Sequence, residues 1–572
     1  MANFYSDNRD ILFHMQKLEL DRIISLKEND FFEKDEYLHA PQDFEDARDN
    51  YHRVLEIVGD IAGNYVAPRA VDVDRQGAKL ENKEVYYAAG TKEALDRLTK
   101  ADLMGFTLPR YYGGINMPKI VYSIAIELIS RADASLMNLF GLQEIADTIQ
   151  KFGSEEQKAN FLPRFSCGEV TGAMALTEPD AGSDLQSISL SAEQGNDGYW
   201  YLNGVKRFIT NGCGDVLLVL ARSEAGSTGG RGLSLFLYER DLNMQVRRIE
   251  DKLGIHGSPT CELQFNNAPA TLVGRRKMGL VRYTLSLMNG ARLGVAAQAI
   301  GIAEAAFREA DNYSRQREQF KTSIRSFSAV FEMLTSMRVE IEASRTLLYE
   351  TSRIVDIAEG LEEKMELYPE KKEELKEDAK RYSKYASLLT PALKIHSTEM
   401  ANQVCYDALQ VHGGPGYTRD FNIERLYRDA RITNIYEGTT QLQVVAAIGG
   451  IITGVLFERL NSYEEAHDFS SVQDVFSRAR QFRTKLESAV EHVKEKNDSA
   501  YQEFHAARIV DITLDTIISY LMCIDALYSE RKKKIAEMFV SRAKYRVQEK
   551  VNYILSDDCL IINEHSSVLE EF

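Results

Sequence analysis

The spacing of apolar residues changes twice along this chain, and this change limits the fold more than any other feature. Apolar positions recur at helical spacing in IVYSIAIELISRA, residues 120–132. They alternate with polar positions in CELQFNN, residues 261–267, and form a continuous run in VLLVLA, residues 216–221, as is typical of strands. Helical spacing returns in GARLGVAAQAIGIAEAAFREA, residues 290–310. The chain is therefore expected to fold as helices, then a sheet, then helices again.

The length of 572 residues requires several hydrophobic cores, because single cores stop growing near about 250–300 residues. We predict an α+β fold that is predominantly α, with a β-barrel or sandwich in the middle. The predicted regions are an N-terminal helical lead (1–50), an N-terminal α domain (51–170), a middle β domain (171–278), a C-terminal α-bundle domain (279–455) and a helical extension (456–572).

Four segments allow more detailed predictions. Asn203–Gly204 lies between two short apolar runs and favours a hairpin turn. The charge-dense segment 358–385 is expected to be a solvated helix pair or an excursion. The apolar stretch Val444 to Phe457 has 14 residues, fewer than the roughly 20 that span a bilayer, so a buried helix is expected. A stripe in the extension predicts packing against another helix: Val510, Leu514, Ile517, Leu521, Ile524 and Tyr528.

Charge and cysteine content exclude several classes of protein. The net charge is −17, which argues against nucleic acid or an anionic membrane as the main ligand. The two closest of the six cysteines are 36 residues apart, so reduced thiols in a cytoplasmic protein are expected. The N-terminus lacks the apolar segment of a secretion signal. The sequence contains no HExxH, P-loop, GxSxG or strand-linked GxGxxG motif, and no metal site is predicted.

Five local clusters contain residues suited to ligand binding or catalysis, although each cluster taken alone is weak evidence. ALTEPDAGSD (175–184) offers loop amides and hydroxyls to a planar, acceptor-rich ligand. KRFITNG (206–212) places Phe208 and Thr210 on one face of a strand. YSRQREQF (313–320) supplies an Arg and a Gln that suit a pyrophosphate, and QVHGGPGY (410–417) has glycines that allow close backbone approach. In isolation, the first cluster is also explained by a plain loop, the second by a strand-core Phe with an edge Thr, and the third by a solvated helix end.

The fifth cluster is IYEGTTQ, residues 435–441. Glu437 is a lone carboxylate in an apolar stretch, and burial there raises a carboxyl pKa towards the neutral range that a general base needs. A surface acid or a helix N-cap is the alternative interpretation of the same residue.

With these clusters in this order, joined by KLGIHGSPT (252–260) and GARLGVAAQAIG (290–301), the sequence resembles the acyl-CoA dehydrogenase family over roughly residues 50–455. The C-terminal extension is similar to that of the family's larger branch. The resemblance implies a flavoprotein with FAD, an acyl-CoA substrate and electron-transfer flavoprotein as electron acceptor. It also implies a place in fatty acid β-oxidation and a homodimer or homotetramer.

The resemblance assigns roles to individual positions. Glu437 corresponds to the catalytic base. The cofactor positions are Met174, Leu176, Thr177, Phe208, Thr210, Arg317, Gln319, Phe320, Gln410, Gly413, Gly414, Thr439 and Gln441. The substrate positions are Ser183, Asn289, Arg292, Tyr436 and Gly438. In this family the contacts of the residues that match Arg317 to Phe320 and Gln410 to Gly414 are made across a subunit interface.

The implied reaction removes the α-proton of an acyl-CoA to Glu437 and transfers the β-hydrogen as hydride to flavin N5, which gives a trans-2-enoyl-CoA. Some family members carry the base just before the Arg of the mid-chain helix. Here that position is Ala291, before Arg292, so the resemblance leaves Glu437 as the base.

The sequence departs from the common family pattern at several positions. Phe208 stands where Trp is usual, Lys321 where Gly is usual and Ser323 where Pro is usual. Asn289 stands where many members have Asp, and VVAAIGG follows Gln441 in place of an Arg-bearing tail. None of these positions concerns proton abstraction.

Two other functions remain open from the sequence. One is an acyl-CoA oxidase-like flavoenzyme that uses oxygen. The other is a non-catalytic helical scaffold whose extension (456–572) recruits partners or a membrane surface.

Overall fold

The computed structural model describes residues 2–570 and has the expected helix–sheet–helix order, with helix predominating. Met1 and residues 571–572, at the outer ends of the predicted lead and extension, lie outside the described part of the chain.

Helices dominate the N-terminal part. They begin at side-chain caps where the sequence supplies them: Asn8 and Asp43 cap the first and third helices, and Ser154 forms a capping box with Gln157. The elements are α1 (Arg9–Lys17), α2 (Asp21–Lys27), α3 (Phe44–Asp60), α4 (Ala70–Gln76), β1 (Lys79–Glu81), β2 (Glu84–Tyr86), α5 (Ala89–Lys100), α6 (Lys119–Ala132), α7 (Ala134–Gly141), α8 (Ile145–Phe152) and α9 (Glu155–Ser166).

The small β1–β2 hairpin is an addition to the predicted all-helical N-terminal part. Its two-residue turn is Asn82–Lys83, and both residues have positive φ, 52° and 69°. This backbone twist matches that of the flanking strands. The dipeptide lacks the glycine that usually marks such turns, so the sequence pattern did not reveal the hairpin.

Seven strands form the middle of the chain. They are β3 (Gly172–Ala175), β4 (Ser191–Gln194), β5 (Trp200–Thr210), β6 (Val216–Arg222), β7 (Leu233–Glu239), β8 (Met244–Ile249) and β9 (Thr260–Leu272). β6 pairs with both β4 and β7, and β7 also pairs with β9, so the sheet closes on itself as a barrel. Its interior holds alternate residues of each strand, among them Leu202, Phe236 and Phe265.

The predicted hairpin turn at Asn203–Gly204 is wrong. Both residues lie inside β5, which pairs continuously with β9 except for shifts in register, one of them between Leu202 and Gly204. A Cβ at Gly204 would lie 3.0 Å from Leu190 Cα, and the φ of Gly204 is 139°. Here the glycine serves a β-bulge and a close backbone approach instead of a turn.

Long helices form the rest of the structure. After α10 (Leu285–Gln316) comes a hairpin of β10 (Glu318–Gln319) and β11 (Thr322–Ser323). The helices that follow are α11 (Ser328–Leu367), α12 (Lys372–His412), α13 (Ile423–Ala430), α14 (Thr440–Ile452), α15 (Val455–Ala466), α16 (Gln473–Lys496), α17 (Ser499–Ala526), α18 (Glu530–Leu555) and α19 (Leu560–Leu569).

The charged segment 358–385 is the tip of the α11–α12 helix pair, as predicted, but one face of it is buried. Ala358, Leu361 and Tyr385 lie in the core. Lys364 also pairs with Asp30 of the N-terminal lead at 2.8 Å. The lead therefore covers a surface that composition alone assigned to solvent.

The extension shares one hydrophobic core with the N- and C-terminal helices. Five of the six residues of the predicted stripe are buried, and they lie on α17. α17 packs against α16, α18, α14 and α11, as the stripe required. Tyr528, just beyond the helix, is 57% exposed, so the buried stripe ends at Ile524 and does not include Tyr528.

The apolar stretch 444–457 is two helices instead of the single buried helix that was expected. Gly454, with φ 89°, ends α14, and α15 departs at 65°. Val445 on α14 is 71% exposed. Within residues 2–570 no single helix meets the length and hydropathy needed to cross a bilayer, whereas the bent pair α14–α15 meets them jointly.

A buried ion cluster connects the N-terminal lead to the helical core. Arg345 of α11 is fully buried and donates to Glu127 of α6 at 2.7 Å and to Glu304 of α10 at 3.0 Å. It also donates to Asp10 of α1, which accepts a further bond from Lys532 of α18. Four helices that are far apart in the sequence, α1, α6, α10 and α11, therefore meet at the Arg345 guanidinium.

Candidate active site

A cavity of about 680 Å³ lies between the barrel and the helices. Its walls come from β3 and the loop after it, β5, the loop before β9, α7, α10 and the segment before α14. Ten of the residues predicted for the site line it together: Met174, Leu176, Thr177, Ser183, Phe208, Thr210, Tyr436, Glu437, Gly438 and Thr439. Residues more than 200 positions apart in the chain thus share one cavity.

A buried ion pair holds the loop that carries Thr177 and Ser183. Lys206 Nζ donates to the Leu176 carbonyl at 2.7 Å and to Glu178 Oε1 at 3.0 Å. The Glu178 carboxylate in turn accepts from the Leu190 backbone N–H at 2.9 Å. Burial lowers the pKa of Lys206 to about 8, and Glu178 opposes that shift. Both residues lie in the motifs quoted above, but the sequence does not show that they pair.

Phe208 owes its place in the wall to a β-bulge. The register of β5 against β9 shifts between Lys206 and Ile209, and Phe208 has a positive φ of 61°. Its ring is 51% exposed, and the Arg207 guanidinium lies 4.6 Å from its centroid. With the backbone of Leu176 and the hydroxyls of Thr177 and Thr210, this side of the cavity offers an aromatic surface and hydrogen-bonding groups, which fit the planar ring of a flavin.

Glu437 lines the same cavity from a strained turn. Its φ is 54° and that of Gly438 is 92°, so both residues have left-handed backbone. Two buried side chains hold this turn: Lys394 Nζ donates to the Gly438 carbonyl at 2.7 Å, and Gln443 Nε2 donates to the same carbonyl at 3.0 Å. A Cβ on Gly438 would lie 2.6 Å from Gln443 Nε2, so this position requires glycine.

The electrostatics at Glu437 suit a base. Burial raises the pKa of Glu437, and the charges of Lys394 and Arg292 oppose that rise. The Glu437 backbone N–H donates to no acceptor within residues 2–570 and is free to bind an oxygen of a ligand. Ala291, at the position of the alternative base, lines the cavity with a methyl group.

Tyr436 is fixed from behind by a buried hydrogen-bond chain. Its hydroxyl donates to Gln298 Oε1 of α10. Gln298 Nε2 then donates to Asn138 Oδ1 at 3.0 Å and to the Ala134 carbonyl at 2.9 Å. The residue next to the candidate base is therefore held by α7 and α10 together.

Arg292 and Asn289 lie on α10 behind the cavity wall. Arg292 Nη1 donates to Asn289 Oδ1 at 3.0 Å, and neither side chain lines the cavity. Burial lowers the pKa of Arg292, whereas the charge of Glu437 opposes that change. Arg292 therefore lies close enough to Glu437 for their charges to interact.

The remaining predicted cofactor residues form a separate exposed group. Tyr313 of α10 stacks on His412 of α12 at 4.4 Å, which brings the two helix ends together. The residues beyond this stack are Arg317, Gln319 and Phe320 on the β10–β11 hairpin and Gln410, Gly413 and Gly414 at the end of α12. Phe320 is 92% exposed, and Gln441 faces outward from α14. None of these residues lines the cavity within the same chain.

Lys394 and Gln443 are functional candidates that sequence reasoning missed. Lys394 is a lone cation within the apolar stretch LLTPALKIHS of α12, and this isolation was the signal available in the sequence. Its side chain is almost fully buried, and burial lowers its pKa to about 8. Such a charge has a partner in the fold, here the turn that carries Glu437.

Lys394→Met is expected to move the rising limb of the kcat/KM–pH profile to higher pH. A general base acts deprotonated, and removal of a nearby positive charge raises the pKa of Glu437 further, so more of the enzyme stays protonated at a given pH. The measurement is the rate, from about pH 5 to 9, of the reaction that the resemblance implies, the reduction of flavin by acyl-CoA. Lys394→Arg keeps the charge, so the rising limb of its profile should lie at the wild-type pH. A Lys394→Met variant whose limb does not move would contradict an effect of the Lys394 charge on Glu437.

Models of four acyl-CoA dehydrogenase domains match the chain in order. The N-terminal domain matches residues 49–169, the middle domain 173–268 and the C-terminal domain 281–448. A further model, acyl-CoA dehydrogenase C terminal, matches residues 452–558, in the extension.

Individual proteins show the same similarity. The 3-methylmercaptopropionyl-CoA dehydrogenase of Ruegeria pomeroyi is 34% identical over 431 residues, which are 70% of this chain and 70% of that protein. The butyryl-CoA dehydrogenase structure of Megasphaera elsdenii aligns with TM-score 0.61 and 31% identity over 71% of this chain and 98% of that one. The structure of an acyl-CoA dehydrogenase complexed with FAD from Bacillus anthracis shares the fold over 89% of this chain and 88% of that one, with TM-score 0.75 and 24% identity.

Proposed function

The chain belongs to the acyl-CoA dehydrogenase family of FAD-dependent enzymes, and from this premise we propose that Glu437 is the base that removes the α-proton of its acyl-CoA substrate. The observation that carries the proposal is the position of Glu437: it lines the same cavity as the aromatic ring of Phe208 and the hydroxyl of Thr177. A substrate bound in this cavity therefore has the carboxylate and these groups among its neighbours.

The chemistry of a thioester explains what the turn at Glu437 contributes. The α-proton is weakly acidic, so its removal needs a base of raised pKa and donors for the negative charge that develops on the thioester oxygen. Burial supplies the raised pKa, and the unpaired Glu437 N–H supplies one donor, which in other enzymes is typically worth about 2.7–4 kcal/mol. Lys394 and Gln443 keep this N–H and the carboxyl in place.

FAD, when bound, would supply the acceptor for the β-hydrogen, which leaves the substrate as hydride. The residues that would hold its ring side are Met174, Leu176, Thr177, Phe208, Thr210 and Thr439, with Gln441 nearby. On the substrate side, Ser183 and Gly438 line the cavity with Tyr436, and Arg292 and Asn289 lie behind it. The residues that line the cavity exclude water and orient the thioester; the product is a trans-2-enoyl-CoA.

Anaerobic titration with a series of acyl-CoAs tests this function. Purified protein that contains FAD should lose its flavin absorbance when a suitable acyl-CoA is added without oxygen. A colourless protein, or a bound flavin that no acyl-CoA reduces, would contradict the proposal. The acyl-CoA that reduces the flavin fastest also indicates the acyl chain length that the enzyme prefers.

The electron acceptor and the assembly belong to the same proposal. The family resemblance supports electron-transfer flavoprotein as acceptor and a cytoplasmic homodimer or homotetramer in β-oxidation. The exposed Phe320 and the open glycines at 413 and 414 suit a site completed by another subunit. Rapid oxidation of the reduced enzyme by electron-transfer flavoprotein, with slow oxygen uptake, is the expected result.

Arg317→Ala is expected to weaken FAD retention. The Arg317 guanidinium has no ion-pair or hydrogen-bond partner within residues 2–570, so it is available to a pyrophosphate. The measurement is the ratio of FAD to protein after dilution and gel filtration. Arg315→Ala is the matched control, because Arg315 pairs with Asp311 at 3.0 Å. Equal FAD loss in both variants, or in neither, contradicts this role.

A further inference from the structure

The wall of the cavity contains a carboxyl group that the proposed mechanism does not use. Glu144 follows α7 and lines the cavity. It faces glycines on α10 four residues apart, which therefore share a helix face. A Cβ on Gly290 would lie 3.8 Å from Glu144 Oε1, and a Cβ on Gly294 would lie 3.9 Å from Glu144 Oε2. The missing side chains leave the carboxyl open to the cavity.

Among the described residues, only one oxygen of Glu144 has a hydrogen-bond partner. Lys119 Nζ donates to Oε1 at 2.7 Å and to Asp147 Oδ2 at 2.5 Å. No group within residues 2–570 donates a hydrogen bond to Oε2. The Glu144 side chain is 13% exposed, and it lines the cavity. A carboxylate oxygen that lies at the cavity surface without a protein donor is available to accept a hydrogen bond from a ligand.

The charges around Glu144 do not balance. The cluster contains two bases and three acids: Lys119, Lys151, Glu144, Asp147 and Glu359. Burial raises the pKa of Glu144, and the charge of Lys119 opposes that rise. A hydrogen-bond donor or a cation placed at Oε2 is favoured in such surroundings, whereas a second carboxylate is disfavoured.

The adjoining walls are apolar, with a second unpaired polar group. Met137, Leu142, Met288 and Val295 line the same cavity. Asn138 also lines it; its Nδ2 is buried without an acceptor within residues 2–570, while its Oδ1 accepts from Gln298. A plain hydrocarbon chain would cover these walls and leave both polar groups unpaired.

We propose that the acyl chain of the substrate carries a hydrogen-bond-donating substituent, a hydroxyl or an ammonium group, that binds Glu144 Oε2. This inference rests on the proposed function, since it concerns the acyl end of the same cavity. Glu144 is then a specificity residue: it contacts the substrate but takes no part in proton abstraction.

Acyl-CoAs of matched length that end in methyl, hydroxyl, ammonium or carboxylate test this inference. The holoenzyme should show a kcat/KM for one of the donor-bearing chains at least about 10-fold above that for the methyl-ended chain, and the carboxylate-ended chain should be the poorest. Glu144→Leu should instead prefer the methyl-ended chain over the donor-bearing chains. Equilibrium Kd values for the corresponding enoyl-CoAs, measured by calorimetry, should change in the same order.

Two further variants identify the donor and the cause. Glu144→Gln keeps an acceptor oxygen but removes the charge, so it should retain the hydroxyl preference and lose an ammonium preference. Asp147→Asn is the matched control, because Asp147 shares Lys119 with Glu144 but does not line the cavity. This variant should leave the selectivity unchanged.

The outcomes separate the two proposals. A wild-type enzyme that prefers the methyl-ended chain at every length, or a Glu144→Leu variant that changes all substrates equally, overturns the inference and leaves the function intact. A selectivity change in Asp147→Asn equal to that in Glu144→Leu also overturns it. Failure of every acyl-CoA to reduce bound flavin overturns the function itself.

Discussion

Glu437→Gln is expected to keep bound FAD and to lower the rate of flavin reduction by acyl-CoA by at least about 10²- to 10⁴-fold, the usual contribution of a general base. The amide has nearly the shape of the carboxylate but cannot accept the α-proton. The turn itself depends on Lys394, Gln443 and Gly438, which the substitution leaves in place. The loss should therefore concern chemistry and not folding or cofactor binding.

Stopped-flow reduction under anaerobic conditions measures this loss directly. Glu399→Gln is a suitable control: Glu399 accepts hydrogen bonds from Thr440 and from Asn434 at 3.0 Å, near the turn, but does not line the cavity. This control should reduce its flavin at close to the wild-type rate. A Glu437→Gln enzyme that reduces at the wild-type rate would show that another group is the base.

Arg345→Met is expected to give the largest loss of stability, about 3–5 kcal/mol in the free energy of unfolding. Arg345 is fully buried, and its removal leaves Glu127 without a guanidinium partner within residues 2–570. Glu304 keeps Arg308 at 2.7 Å and Arg338 at 3.3 Å, and Asp10 keeps Lys532, so the damage concerns chiefly α6. The buried pair need not stabilise the fold relative to an apolar core for this result, because the cost comes from the charges left behind.

Urea unfolding followed by fluorescence measures the effect of Arg345→Met. Arg338→Met is the comparison, because Arg338 is 26% exposed and bonds Glu304 at 3.3 Å, and it should cost much less. Addition of Glu127→Gln to Arg345→Met should recover part of the loss by removal of one unpaired charge. A change below about 1 kcal/mol in Arg345→Met would contradict the importance of the cluster.

The sequence predicted the architecture well where one pattern persists over many residues. The strands at 216–221 and 261–267, the helix at 290–310 and the stripe in α17 all have the predicted type. Local turns were less predictable. Asn203–Gly204 has the composition of a hairpin turn, but pairing of β5 along β9 and the contact with Leu190 make it a bulge. Asn82–Lys83 lacks that composition and yet forms a turn.

Ten site residues predicted from the motifs do meet in one cavity, and the sequence could indicate them because each motif is local in sequence. The side chains that hold these residues in place could not be predicted from the sequence. The pair Lys206–Glu178 joins residues 28 positions apart, and Lys394 holds a carbonyl 44 positions away. No periodicity connects such positions, because side-chain pairing depends on how separate elements pack.

The sequence by itself therefore determined the order of helices and strands, the family and the identity of the candidate base. The order of elements follows from the spacing of apolar residues, and the family and the candidate base follow from the resemblance of short motifs. Both signals are local in the sequence. Only the tertiary structure decided that α1 and α18 meet at Asp10, that Glu437 is held by Lys394 and that Glu144 faces the glycines of α10. Buried charges need partners, and the fold alone brings those partners from distant parts of the chain.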